Sequence, residues 1–206
     1  HMALGDVCLS AGREGCAAEQ YTAAVANQNL PDEAAQAVAQ ADLWRQRGRT
    51  DVAIRFYEQA VDMQASEANQ LMLASAYQEQ GRFEEAEALL RVMRMQRPLS
   101  VEVLTMSAGM QAARGRYDGA VAFYRRAIAI QDVTGQESAG TRLLLAQTMA
   151  ANDRLEDAEA LIGRVLELQP DNAAAYGQLG DVYSKLGRAT EAMEAYQQAF
   201  RLDPTQ

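Results

Sequence analysis

Cys8 and Cys16 are the residues of this chain best suited to covalent chemistry, and they are its only cysteines. They flank the segment Gly12 to Gly15. If that segment turns between two antiparallel helices, the pair forms either a possible disulfide or two buried reduced thiols. The sequence does not fix their Cα separation, on which a bridge depends. A bridge would imply an oxidising compartment such as the periplasm. The remaining inventory for chemistry is thin. His1 is the only histidine, and the His1-Met2 pair reads as a cloning remnant. Without a native imidazole there is no histidine acid–base group, no Ser-His or Cys-His nucleophile pair and no histidine metal ligand. Two thiols alone make a poor zinc site, and no phosphate-cradling glycine loop is present. The chain is therefore expected to be no enzyme and to hold no metal and no cofactor.

Carboxylates are plentiful, but their placement is structural. Asp51, Glu84, Glu85, Asp118, Glu156, Asp157 and Glu191 cluster where second helices are expected to begin, and negative charge stabilises a helix N-terminus. The net charge of −9 supplies no basic stripe to displace counterions from phosphates, so nucleic acid is not expected as a partner. Lys185 is the only lysine; the arginine bias reads as GC-rich coding. No run approaches the ~18 apolar residues of a membrane-spanning helix, so no direct membrane insertion is expected.

The elements that must carry these residues repeat along the chain. Leu179-Gly180-Asp181-Val182-Tyr183 parallels Leu4-Gly5-Asp6-Val7-Cys8. Gly187-Arg188 follows the first and Gly12-Arg13 the second. Ala192, Tyr196 and Ala199 then match Ala17, Tyr21 and Ala24. The same pattern recurs between these ends. All four prolines, Pro31, Pro98, Pro170 and Pro204, fall at repeat ends, where a helix must stop. Gly12, Gly48, Gly81, Gly115 and Gly187 fall at the turn inside a repeat, which favours a residue tolerant of positive φ. Asp32, Ser66, Ser100 and Asp171 precede expected helix starts as N-caps. An arginine follows each turn, at Arg13, Arg49, Arg82, Arg116, Arg154 and Arg188; each is expected to pair with an acid one or two places on. The aromatic residues occupy repeat slots or their neighbours and are expected to pack in the core.

This unit resembles the tetratricopeptide repeat, whose period is about 34 residues. Tyr176, Leu179, Gly180, Tyr183, Ala192, Tyr196, Ala199 and Pro204 carry the resemblance best. The boundaries are approximately 1–33 (partial), 34–66, 67–100, 101–138 with a four-residue insertion, 139–172 and 173–206. The resemblance implies an all-α fold, a right-handed α-α superhelix of about six helix-turn-helix repeats over residues 1–206 as a single solenoid. The insertion after Asp132 is expected to make either a longer second helix or a protruding loop, and so a hinge or local change of curvature. The truncated first repeat and the lack of a polar cap after Phe200 suggest a piece of a longer array, with end-to-end self-association as a corollary.

In the family, first helices line a concave groove that takes a peptide or partner helix. Carried over position by position, the groove residues are Val38, Asp42 and Arg45, then Leu71, Met72 and Gln78, with Ser75 and Glu79 beside them. Next come Thr105 and Met106, then Leu143, Leu144 and Gln147, and last Gln178 and Asp181 with Lys185. The resemblance thus implies a protein-binding scaffold. A bacterial export or exopolysaccharide-secretion apparatus with a periplasmic location is the expected setting. A cytoplasmic or pilus-biogenesis assembly factor is one alternative; a repeat domain from a larger enzyme such as a glycosyltransferase is another.

Overall fold

The computed structural model describes residues 1–28 and 30–204. Among these, every regular element is a helix. They are α1 (Met2–Ser10), α2 (Glu14–Ala26), α3 (Glu33–Gln46), α4 (Thr50–Met63), α5 (Glu67–Glu79), α6 (Phe83–Gln96), α7 (Val101–Ala113), α8 (Tyr117–Thr134), α9 (Ala139–Ala151), α10 (Leu155–Leu168), α11 (Ala173–Lys185) and α12 (Ala189–Leu202). Odd and even helices pair through short turns, and the fold is an all-α helical repeat.

The turns are built as their residues dictate. Gly12, Gly48, Gly81, Gly115 and Gly187 all lie at φ between 70° and 75°, the left-handed region that costs an L-residue about 1–2 kcal/mol. The next N–H then reaches back into the preceding helix, as from Arg82 to the Tyr77 carbonyl (2.8 Å) and from Arg188 to that of Tyr183 (2.9 Å). This satisfies carbonyls that the helix end would otherwise orphan. In the α9–α10 turn the position falls to Asp153, at φ 59°. Asp32, Ser66 and Ser100 each accept from the N–H three residues on. The expected cap at Asp171 is corrected: Asn172 holds that place, accepting from Ala175 N at 2.9 Å.

The insertion lengthens a helix. α8 has 18 residues, against 14 in α4, α6, α10 and α12, so the four extra residues add about one turn. The alternative of a protruding loop is set aside. Gly135 closes the helix at φ 68°, and the following segment is tied down. Gln131 Nε2 donates to the Glu137 carbonyl (2.9 Å), and the Arg142 guanidinium grips both oxygens of Asp132 (2.6 and 2.8 Å).

The chain divides within α6 into two compact units, His1–Met93 and Arg94–Gln206. The core of the first joins Cys8, Tyr21, Val25, Trp44, Ile54 and Tyr57 across buried Ala17, Ala41 and Ala53. The core of the second joins Tyr124, Leu145, Met149, Ile162, Val165 and Val182 across Ala108, Ala120, Ala146 and Ala158. The buried alanines let paired helices approach closely; a larger side chain there overpacks the seam. Two aromatic residues depart from the expected core packing: Tyr196 is 42% exposed and Phe200 60%. Both belong to the outward face of α12.

Candidate functional site

Three helix pairs share one side-chain clasp between their first and second helices. The Tyr21 hydroxyl donates to Asp6 (2.6 Å), Tyr196 donates to Asp181 (2.7 Å), and Tyr57 donates to Asp42. Each pair is 15 residues apart, so the clasp leaves a trace in the sequence. It was missed there because the aspartates read as groove and the tyrosines as core. Glycine makes room for it at both ends of the chain. A Cβ on Gly5 would stand 2.4 Å from the Tyr21 ring, and one on Gly180 2.5 Å from the Tyr196 ring. Burial, and then the Asp42 carboxylate, push the Tyr57 hydroxyl up to about 12. In α7–α8 the aspartate slot is Gly109, whose missing side chain faces the Tyr124 hydroxyl. There burial raises the phenol with no carboxylate involved.

In the first unit the expected groove residues of α3 and α5 are largely engaged with one another. The Arg45 guanidinium pairs with Glu79, its Nε lying 2.9 Å from Oε2, and its Nη2 reaches Ser75 Oγ at 3.3 Å. Asp42 holds Tyr57. Val38 and Met72 pack against the core, and Leu71 and Gln78 are half-buried. The bridge from Arg45 to Glu79 spans neighbouring first helices.

In the second unit Leu144, Gln147 and Asp181 stand open among the corresponding positions. Gln147 on α9 meets Gln178 and Asp181 on α11 around a cavity of ≈ 420 Å³ floored by Ala146, Ala150, Ile162 and Val182. The Gln178 Oε1 is buried without a partner, and Lys185 Nζ stands at the rim, donating to the Ala150 carbonyl (3.2 Å). An orphaned buried acceptor costs about 1–3 kcal/mol, which a donor from a bound chain would recover. On α7, the Thr105 hydroxyl is likewise buried and unpartnered, and Met106 is half-buried. Leu144 is exposed. Leu143 is corrected: at 7% exposure it belongs to the buried cluster with Ile128 and Ala139. Its side of α9 faces the core rather than the groove.

Four of the arginines after the turns, Arg49, Arg82, Arg154 and Arg188, act within the fold. Arg82 lies over the Tyr77 ring (4.4 Å) and Arg188 over that of Tyr183 (4.2 Å). Arg82 pairs with Glu85, Arg154 with Asp157, Arg188 with Glu191 and Arg49 with Asp51. The acid stands two places on at Arg49, as expected, but three places on at Arg82, Arg154 and Arg188, where the first helical turn brings a carboxylate round. Arg188 also reaches Glu159 of α10 (3.0 Å), and Arg49 reaches Glu14 of α2.

Cys8 and Cys16 are joined as a disulfide, with Cα atoms 5.7 Å apart, inside the usual range. Among the described residues no three His, Cys, Asp or Glu side chains gather as metal ligands, and no helix is long and apolar enough to cross a membrane.

Tetratricopeptide repeat signatures match residues 2–68 and 71–133, with further matches over 111–169 and 173–206. The chain belongs to the tetratricopeptide repeat family. Proteins built from this repeat are in general interaction scaffolds, and the chain has that fold. A comparison with curated proteins found no match. Among solved structures, a tetratricopeptide repeat protein from Parabacteroides merdae superposes with a TM-score of 0.72 at 19% identity, over 96% of this chain and 76% of its own. A Podosopora anserina putative kinesin light chain with nearly identical TPR-like repeats gives 0.70 at 23%, over 86% and 98%. MamA gives 0.62 at 20%, over 80% and 95%. At these identities the likeness is one of fold.

Proposed function

We propose that this chain is a non-catalytic scaffold that binds a peptide or a segment of a partner protein along its first-helix face, with α9 and α11 as the principal contact. The observation that carries this is the cavity where Gln147, Gln178 and Asp181 converge around a buried, unpartnered amide oxygen. Small apolar floor residues admit a close approach, while the two amides and the carboxylate set its register. A photo-crosslinking residue at Gln147 should capture a discrete partner in cells that make this protein. The same residue at exposed Arg164 on α10 should not. Equal capture at both sites, or none at either, overturns the assignment.

Within that class we place the chain in a bacterial export or exopolysaccharide-secretion apparatus, on the periplasmic side. The Cys8–Cys16 bridge supports this, since a disulfide persists in an oxidising compartment. Thiol trapping in the source cells tests it directly. Fully oxidised cysteines are expected; reduced cysteines would favour a cytoplasmic assembly factor instead.

A further inference from the structure

A second cavity, of ≈ 350 Å³, lies where α8 and α10 meet α9, and it shares no residue with the α9–α11 cavity. Its size falls among small-molecule sites, which run from about 300 to 1,000 Å³. Leu145, Met149 and Leu161 give it an apolar wall. Arg125, Arg142 and Arg164, one from each helix, line it as well.

The three guanidiniums are engaged differently. Arg142 is fixed: its Nε donates to Ser138 Oγ and its Nη2 to both oxygens of Asp132. Its Nη1 donates to no described group. Arg125 and Arg164 are exposed and make no ion pair with any described residue. The one carboxylate at the cavity, Asp157, is taken by Arg154. The charges of Arg125 and Arg164 therefore stand uncompensated beside an apolar wall. Two such cations repel one another, and an oxyanion between them turns the repulsion into charge-assisted hydrogen bonds. Planar forks arriving from three helices suit the three terminal oxygens of a phosphoryl group better than the two of a carboxylate. The chain's net charge of −9 draws in no anion from a distance, so one that binds here does so through local contacts.

We propose that this cavity binds a small phosphate monoester. Its phosphoryl oxygens meet the three guanidiniums, and its apolar substituent lies against Leu145, Met149 and Leu161. A small ligand presents no protein to be captured at Arg164, so this site stands apart from the α9–α11 contact and does not depend on it.

Phenyl phosphate is the probe, titrated into the oxidised full chain and followed by calorimetry. Saturable one-to-one binding is expected. Inorganic phosphate, which lacks the apolar body, should bind about tenfold more weakly. Arg125→Ala and Arg164→Ala should each weaken phenyl phosphate about tenfold. Leu161→Gln should narrow the gap between the two ligands. Arg55→Ala, which removes an equally exposed and unpaired arginine on α4, should leave binding unchanged. Circular dichroism confirms that each variant is folded. No saturable binding, or a loss at Arg55→Ala equal to that at Arg164→Ala, overturns the proposal. Inorganic phosphate binding as tightly as phenyl phosphate overturns the organic ligand, and benzoate doing so overturns the choice of phosphate.

Discussion

The α1–α2 and α11–α12 pairs are nearly the same object built with two different fasteners. Both place a glycine under a tyrosine ring and an aspartate on its hydroxyl. They differ beside the turn. In α11–α12, Arg188 stacks on Tyr183 and pairs with Glu191; α5–α6 repeats this with Tyr77, Arg82 and Glu85. In α1–α2 the tyrosine and glutamate positions are Cys8 and Cys16, and a covalent bond makes the same link. They differ also in cover, since Tyr21 is fully buried and Tyr196 is not. The contrast teaches that the repeat fixes where a link must be, while the chemistry of the link is interchangeable.

The contrast can be broken most severely at the glycines. Gly5→Ala should cost about 3 kcal/mol, because the Tyr21 ring has no space to retreat into; Gly180→Ala should cost about 1 kcal/mol, because Tyr196 can swing outward. Equal losses in urea denaturation would show that cover does not matter. Removing the bridge with Cys8→Ala/Cys16→Ala should cost about 2–3 kcal/mol for so short a loop. Reduction of the wild-type chain should lower its denaturation midpoint and leave that of the double variant unchanged. Tyr21→Phe should cost about 1 kcal/mol for a buried hydroxyl bonded to a carboxylate, and Tyr196→Phe about half that or less. The smallest effect is on the ionic fastener. Arg188 holds the Glu191 carboxyl below its usual range. A depressed carboxylate stabilises the fold above its unfolded pKa, and that contribution is lost as pH falls through the folded value. Arg188→Ala should therefore flatten the acid limb of the stability curve slightly, and high salt should mimic it. The disulfide should answer to neither.

Much of this was legible in the residues themselves. Positive-φ glycines, prolines between helices and three of four caps are local signals, and they placed the pairs. The fourth cap slipped by one because Asp171 and Asn172 are both good cap residues, and only the start of α11 at Ala173 decides between them. Nothing between Asp132 and Gly135 forbids another helical turn, so the residues alone do not decide between a longer α8 and a loop. Leu143 and Leu144 are adjacent and equally apolar, so the neighbouring helices, not their types, send one to the core and the other to the surface. The same holds for Tyr21 and Tyr196. The engagement of Arg45 by Glu79 depends on a contact between repeats, which no single repeat records.

The tyrosine–aspartate clasp bears on the thermodynamics of recognition. A free surface aspartate samples several rotamers, and a ligand that captures one must immobilise it. Asp42 and Asp181 are already held by a phenol from behind, with carboxylate oxygens left over to accept a second donor. A lysine or arginine arriving at either therefore meets an acceptor whose ordering entropy was lost on folding rather than on association. Such contacts should register in calorimetry as gains in enthalpy with little entropic penalty from the scaffold.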